Sequence, residues 1–173
     1  RIMPAPGGKD FVQAYNAQAA VDSAHQVIVA ADVTNQPSDK GQAEPMLEQV
    51  RDNTGQLPRE MSADAGYFSG KAVTGITELG VEAFIPPDKV RHTAPLAPAP
   101  RGRIPKGLSP IERMRRKLRT QRGKRRYALR METVEPVLGQ IKQARGFRQF
   151  LSRGPDESGG GQSGCSSAPP ITC

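Results

Sequence analysis

The stretch Met61–Phe68 (MSADAGYF) decides how the sequence is interpreted, because a short apolar run ends there on an acid. Residues 61–65 have the length and composition of a buried strand, and Gly66 predicts a turn directly after it. A carboxylate at the C-terminal end of such a strand, here Asp64, can face a crevice and bind a divalent cation there. The alternative is an Asp64 that only forms hydrogen bonds within the turn, and the local sequence alone favours that alternative.

The flanking segments predict further strands. Residues 11–21 carry β-branched and aromatic side chains, and residues 26–34 form an almost continuous apolar run. We expect these two strands to pair as a hairpin through residues 22–25. The apolar character of the second predicts a central place in a sheet. A fourth strand is expected at residues 81–85.

Helical patterns lie between the strands. One helix is expected from about Lys40 to Asn53, with Ser38 or Asp39 as its N-cap and Asn53-Thr54-Gly55 as its stop. Ser69 is expected to cap a second helix that runs through Leu79. Met46, Leu47 and Val50 supply the apolar stripe of the first. The order strand, strand, helix, strand, helix, strand predicts an α/β fold with a mixed sheet and flanking helices.

The distribution of charge divides the chain. Residues 101–153 hold 17 Lys/Arg and 3 Asp/Glu, whereas residues 1–100 hold 8 basic and 12 acidic residues. A local basic block is typical of proteins that bind a phosphate backbone. A solvated basic helix face or a disordered basic arm is the alternative, and charge alone does not decide between them.

The sequence predicts four parts: an α/β core at 1–87, a Pro/Ala-rich linker at 88–110, a basic helical segment at 111–153 and a disordered tail at 154–173. Within the basic segment Ser109 and Pro110 indicate a helix start, and Gly123 a break after about Arg119.

A longer helix is expected from Arg126 to Ala144, and Pro136 should interrupt it. Its predicted inner face consists of Val134, Val137, Leu138 and Ile141.

Composition excludes several classes of protein. No apolar run approaches the roughly 18 residues of a membrane span. The only cysteines, Cys165 and Cys173, lie in the Gly/Ser/Pro-rich tail, which fits a reducing cytoplasm better than a disulfide-stabilised secreted protein. The chain begins at Arg1 without an initiator Met, and we interpret it as starting within a domain.

Four separate segments occur in an informative order: Tyr15–Asp22, Ala31–Gln36, Ala63–Phe68 and Thr133–Lys142. In that order they resemble the catalytic domain of bacterial insertion-sequence transposases of the DDE type, from about Gly8 to about Gly154. The resemblance implies a ribonuclease-H-like fold, incomplete here, and metal-dependent DNA cleavage and strand transfer. It also implies two Mg²⁺ or Mn²⁺ ions, DNA (transposon ends and target) as partner, and a bacterial cytoplasm with nucleoid association. A homo-oligomer is left open for the intact enzyme.

The resemblance assigns site residues. Asp64 matches the second catalytic acid and Glu135 the third, so both would be metal ligands. Lys142, six intervening residues beyond Glu135, and the Tyr-x-x-Arg pair Tyr127 and Arg130 match DNA-contacting positions. Arg130 lies five residues before Glu135 where the commoner pattern has four, a shift of about 100° on an α-helix.

Phosphate contacts are also expected from the basic block. They are expected from the stretch Arg113–Arg126, which includes Arg115, Arg116 and Lys117.

The first acid of the family lies in an Asp-Gly-Thr-like segment that has no counterpart here. Asp22 and Asp32 fall in segments that match non-catalytic parts of the family, and Asp39 is better explained as a helix cap than as a ligand. We therefore expect a fragment that is inactive alone. The alternatives are a catalytically dead nucleic-acid-binding remnant and an unfolded pseudogene product.

The end of the chain departs from the family. The resembling proteins continue into an apolar helix after the pair matched by Arg153-Gly154, whereas this chain turns to Gly, Ser and Pro. We expect a shift of reading frame near Gly154.

Overall fold

The computed structural model describes residues 2–4, 11–13, 15–89, 98–144 and 146. The strands are β1 Ile2–Pro4, β2 Phe11–Gln13, β3 Asn16–Val21, β4 Ile28–Thr34, β5 Glu60–Ser62 and β6 Glu82–Phe84. The helices are α1 Ala43–Thr54, α2 Gly70–Glu78, α3 Pro110–Arg119 and α4 Gln121–Gly139. A 3₁₀ turn at Ala65–Tyr67 follows β5, and a π-helical turn at Gln140–Ala144 follows α4. The described chain is therefore a mixture of helices and small sheets.

The strands do not join into one sheet. In the described ranges β1 pairs with β2 and β3 with β4, both antiparallel, while β5 pairs with β6 in parallel. The β3–β4 hairpin confirms the predicted one, although the strand expected at 11–21 is divided into β2 and β3. A single mixed sheet with β4 at its centre was the wrong expectation. Ala31, Asp32 and Val33 are exposed, so β4 is not covered as a central strand would be.

Two apolar clusters hold the helices against the strands. The larger joins α1, α2, α3 and the β5–β6 pair, with Ile76 and Ile85 fully buried near its centre. The smaller places Met46 and Val50 of α1 against Ala30 of β4. The predicted α1 stripe is confirmed, and it serves both clusters because Leu47 faces the larger one.

Helix α1 begins differently from the prediction. Its N-cap is Gln42, which makes no side-chain cap hydrogen bond, so Ser38 and Asp39 do not cap it. The Asp39 carboxylate is held elsewhere, as described below. The helix ends as expected at Gly55, whose φ of 77° suits glycine. Helix α2 follows the prediction more closely, because the Ser69 side chain accepts a hydrogen bond from the Ala72 backbone N–H.

The basic helices form a hairpin with a tight turn. Ser109 and Glu112 make the reciprocal hydrogen bonds of a capping box at the start of α3, as predicted. The break lies at Thr120 and not at Gly123, which is buried inside the first turn of α4. A Cβ at Gly123 would collide with the Lys117 carbonyl oxygen, so the glycine permits close packing of the two helices.

Pro136 does not end α4, which runs to Gly139 before the π-helical turn. A proline cannot donate to the carbonyl four residues earlier, here that of Glu132. The Gln26 side-chain amide donates to that carbonyl at 3.2 Å and ties the β3–β4 hairpin to α4. The predicted inner face is half-buried throughout; it consists of Val134, Val137, Leu138 and Ile141.

Residues 98–109 contain neither helix nor strand. The rest of the predicted linker between 90 and 97, and the predicted tail at 154–173, lie outside the described residues, so the division into parts stays a prediction. None of the described helices combines the length and apolar character needed to cross a membrane.

Candidate functional site

Asp64 lies at the point where β5 passes into the 3₁₀ turn. It is the N-cap of that turn, and its Oδ1 accepts a hydrogen bond from the Ala65 backbone N–H at 2.7 Å. Asp64 therefore does form a hydrogen bond within the turn, but this bond occupies only one of its two carboxylate oxygens. Oδ2 accepts no hydrogen bond from a described residue, and the side chain is exposed. Asp64 can therefore form the turn and bind a ligand at the same time.

The Asp39 side chain contacts two of the family-like segments, Tyr15–Asp22 and Ala63–Phe68. Its Oδ1 accepts hydrogen bonds from Asn16 Nδ2 at 2.6 Å and from Gln18 Nε2 at 2.9 Å. The other oxygen lies against the turn after Asp64, since a Cβ at Gly66 would stand 2.6 Å from Oδ2. The sequence analysis missed this role because the amide partners lie more than 20 positions away. One available signal was the spacing of Asn16 and Gln18, which share a face of β3.

Tyr67 lies near both carboxylates. Burial, followed by the negative charges of Asp39 and Asp64, raises the pKa of Tyr67 to about 12. Its hydroxyl therefore keeps its proton at neutral pH.

A cavity of about 740 Å³ extends from these carboxylates to α4. Asp39, Asp64 and Gln18 lie on one side, and Arg126 and Arg130 line it from α4. The Arg130 Nε is buried without a hydrogen-bond partner, and so is the Gln18 Oε1. The cavity is thus lined by both carboxylates and arginines.

Three residues of α4 that match the family, Tyr127, Arg130 and Glu135, lie close to one another, but they do not all face Asp64. Arg130 lies 5.5 Å over the Tyr127 ring, and its Nη2 is 3.8 Å from Glu135 Oε1. Glu135 is exposed and does not line the cavity that Asp64 lines. Five residues carry an α-helix about 140° past a full turn, so Arg130 and Glu135 cannot both face the cavity.

A shared site of Asp64 and Glu135 therefore stays a prediction. Over the described ranges no three His, Cys, Asp or Glu side chains form a group that could hold a metal ion. Lys142 is exposed in the π-helical turn. On a continuous α-helix Lys142 would lie about two turns beyond Glu135 on the same face. A π-helical turn changes the rotation per residue, so Lys142 departs from that face.

Part of the basic block is used to dock α3 and α4 on the strands. Glu60 and Glu82 stand directly opposite each other on β5 and β6, where like charges repel. Arg122 bridges them, with 2.6 Å contacts to both carboxylates. Arg126 adds a contact to Glu60 at 2.8 Å, and Lys117 one to Glu82 at 2.9 Å.

Lys117 has two further contacts, with the Ala83 carbonyl at 2.8 Å and over the Phe84 ring at 4.0 Å. Burial acts to raise the pKa of Glu82, but hydrogen bonds from Lys117 and Arg122 outweigh it and leave the pKa below its ordinary value. These cations are integral to the fold.

The basic residues chosen from the sequence as DNA contacts are also partnered. Arg115 makes two hydrogen bonds to the Asp88 carboxylate, at 2.7 and 2.9 Å. Arg116 Nη2 donates to the backbone carbonyls of Arg101, Gly102 and Arg103. Other cations of the two helices are exposed and make no ion pair with a described residue; they are Arg113, Arg119, Lys124 and Arg125.

A carboxylate at the end of a strand and two arginines of the α3–α4 hairpin thus line one cavity. The model of the transposase DDE domain family matches residues 3–158, so the chain belongs to that family. Domains of this family serve DNA transposition and generally depend on a divalent metal ion. Neither a curated protein nor a solved structure matches the chain.

Proposed function

We propose that the chain is part of a ribonuclease-H-like transposase domain that binds DNA and supplies Asp64 and Glu135 for metal-dependent cleavage and strand transfer. Family membership supports the class of reaction, and the cavity lined by Asp64 and Arg130 supports the location of the site. The observation that carries the proposal is that Asp64 and Arg130 line the same cavity, where Asp64 has a carboxylate oxygen that accepts no hydrogen bond from a described residue.

The residues fit the parts of such a reaction. The free Oδ2 of Asp64 is a hard oxygen donor of the kind that Mg²⁺ prefers. A divalent ion held there would supply activation of a water or DNA 3′-hydroxyl and stabilisation of the leaving oxygen. Arg130, which lines the same cavity from α4, would donate to a phosphate oxygen there.

The exposed cations of α3 and α4 would hold the DNA backbone. Phosphate neutralisation by Lys and Arg gives binding that weakens steeply with salt. In this proposal Arg113, Arg119, Lys124 and Arg125 carry that binding. Arg115, Arg116 and Lys117 serve the fold first.

The position of Glu135 favours a second candidate, a catalytically dead nucleic-acid-binding remnant. A Glu135 that faces solvent beside Arg130 contributes nothing to a site at Asp64. In this candidate the chain binds DNA through the same cations but performs no chemistry.

One experiment separates the two candidates. Supercoiled DNA is incubated with the chain and Mg²⁺ or Mn²⁺, and nicking is followed for wild type, Asp64→Asn and Glu135→Gln, with the exposed Asp32→Asn as control. Nicking that both site substitutions abolish supports the enzyme, whereas salt-sensitive binding without nicking supports the remnant. Absence of DNA binding would contradict both.

A further inference from the structure

We propose that Asp39 is a second carboxylate ligand for a divalent cation held with Asp64 in the cavity. The inference rests on the proposed function in that such a cation would serve the same DNA reaction. It assigns a ligand that the resemblance does not supply, because Asp39 lies on the loop before α1 and outside the matching catalytic segments.

The first observation is the fixed orientation of Asp39. Two amide donors, on Asn16 and Gln18, hold Oδ1, so the carboxylate cannot rotate freely. Oδ2 then lies against Gly66, two residues after Asp64, and accepts no hydrogen bond from a described residue. Any side chain at position 66 would have to displace this oxygen. Asp39 and Asp64 both line one cavity.

The second observation is the buried amide of Gln18. This residue is 4% exposed, and its Oε1 has no hydrogen-bond partner. A buried acceptor without a partner is unfavourable because it has lost its hydrogen bonds to water. The Nε2 of the same amide donates to Asp39 Oδ1, so this amide group adjoins the Asp39 carboxylate. A cation bound by both carboxylates would satisfy this acceptor.

The chemistry of the donors suits a hard cation. Carboxylate and amide oxygens are ligands of Mg²⁺ and Ca²⁺, and Mg²⁺ keeps several waters when protein ligands are few. The other two acids near β3 and β4 are less suitable as ligands, because each already accepts a hydrogen bond elsewhere. Asp22 holds His25 at 3.0 Å, and exposed Asp32 accepts from the Val33 backbone N–H.

Direct cation binding without DNA tests the inference. Mn²⁺ is titrated into the full chain and followed by electron paramagnetic resonance, for wild type, Asp39→Asn and Asp64→Asn. The Asn side chain is isosteric with Asp and still accepts the bonds from Asn16 and Gln18, so the fold should persist, and circular dichroism checks it. Asp32→Asn is the matched control, since it removes one exposed carboxylate outside the cavity.

We expect Asp39→Asn and Asp64→Asn each to weaken Mn²⁺ binding at least about tenfold, with Asp32→Asn unchanged. Wild-type affinity in Asp39→Asn, with binding lost in Asp64→Asn, would overturn the role of Asp39. A wild-type chain that binds no Mn²⁺ would overturn it too. DNA binding measured on the same samples without metal then tells whether the proposed function fails with it.

Discussion

The basic region of the chain divides into two sets of cations with the same chemistry and different uses. The docked cations, Lys117, Arg122 and Arg126, neutralise the opposed carboxylates of β5 and β6. Arg115 and Arg116 are partnered as well, by Asp88 and by backbone carbonyls. The open cations, Arg113, Arg119, Lys124 and Arg125, make no ion pair with a described residue. The position of two glutamates on adjacent strands decides the difference. A count of basic residues therefore overstates the charge that is free to bind DNA.

The largest expected effect follows from removing the open cations together. With all four changed to Gln, we expect DNA binding to weaken about a hundredfold near 0.1 M salt. The slope of log K against log salt should become shallower by about 2 to 4, because each phosphate contact contributes about 0.9. Fluorescence anisotropy with a labelled duplex at several salt concentrations measures both. An unchanged slope would remove the open cations from the DNA interface.

Removing the carboxylates that bind the docked cations should lower the stability of the fold. Combining Glu60→Gln with Glu82→Gln leaves Arg122 without a carboxylate, and we expect a loss of about 1–2 kcal/mol in the free energy of unfolding, the pairs being partly exposed. Urea denaturation followed by circular dichroism measures it. The exposed Glu48→Gln is the control and should stay within about 0.5 kcal/mol of wild type. If the double variant matches this control, the ion pairs do not hold α3 and α4 on the strands.

A smaller effect should appear in acid. Since the folded pKa of Glu82 lies below its ordinary value of 4.5, its contribution to stability is present above that pH. The contribution is lost as the pH falls through the folded pKa. We expect the urea midpoint of wild type to decline below pH 4.5 more steeply than that of Glu82→Gln. Parallel declines in the two proteins would show that Glu82 does not carry the dependence.

The smallest effect concerns Arg116, which ties residues 101–103 to α3. Arg116→Ala removes these contacts at an exposed site, so we expect less than about 1 kcal/mol lost in the free energy of unfolding. Cleavage by trypsin after Arg101 and Arg103 should nevertheless become faster, because the backbone there is no longer held. Arg113→Ala is the comparison and should leave that cleavage rate unchanged. Equal cleavage rates in the two variants would contradict the idea that Arg116 holds residues 101–103 against α3.

Features set by neighbouring residues could be predicted from the sequence. The capping box at Ser109, the N-cap at Ser69 and the helix end at Gly55 depend on a few adjacent positions. The hairpin of β3 and β4 is also local, because its strands are joined by a short turn.

Features set by distant partners could not be predicted. Asp39 resembled a helix cap because Asn16 and Gln18, which hold it, are remote in sequence. The outward position of Glu135 depends on how α4 docks, and Glu60 and Glu82 fix that docking through Arg122 and Arg126. A helical pattern identifies the faces of α4, but not which face meets the strands.

The most direct test compares two variants that lose the same charge. One removes open cations, Arg119→Gln with Arg125→Gln, and the other removes partnered ones, Arg115→Gln with Arg116→Gln. We predict that the salt dependence of DNA binding becomes shallower by about 2 in the first variant and is unchanged in the second. Equal changes in the two variants, or no DNA binding by the wild-type chain, would contradict the division of the basic region.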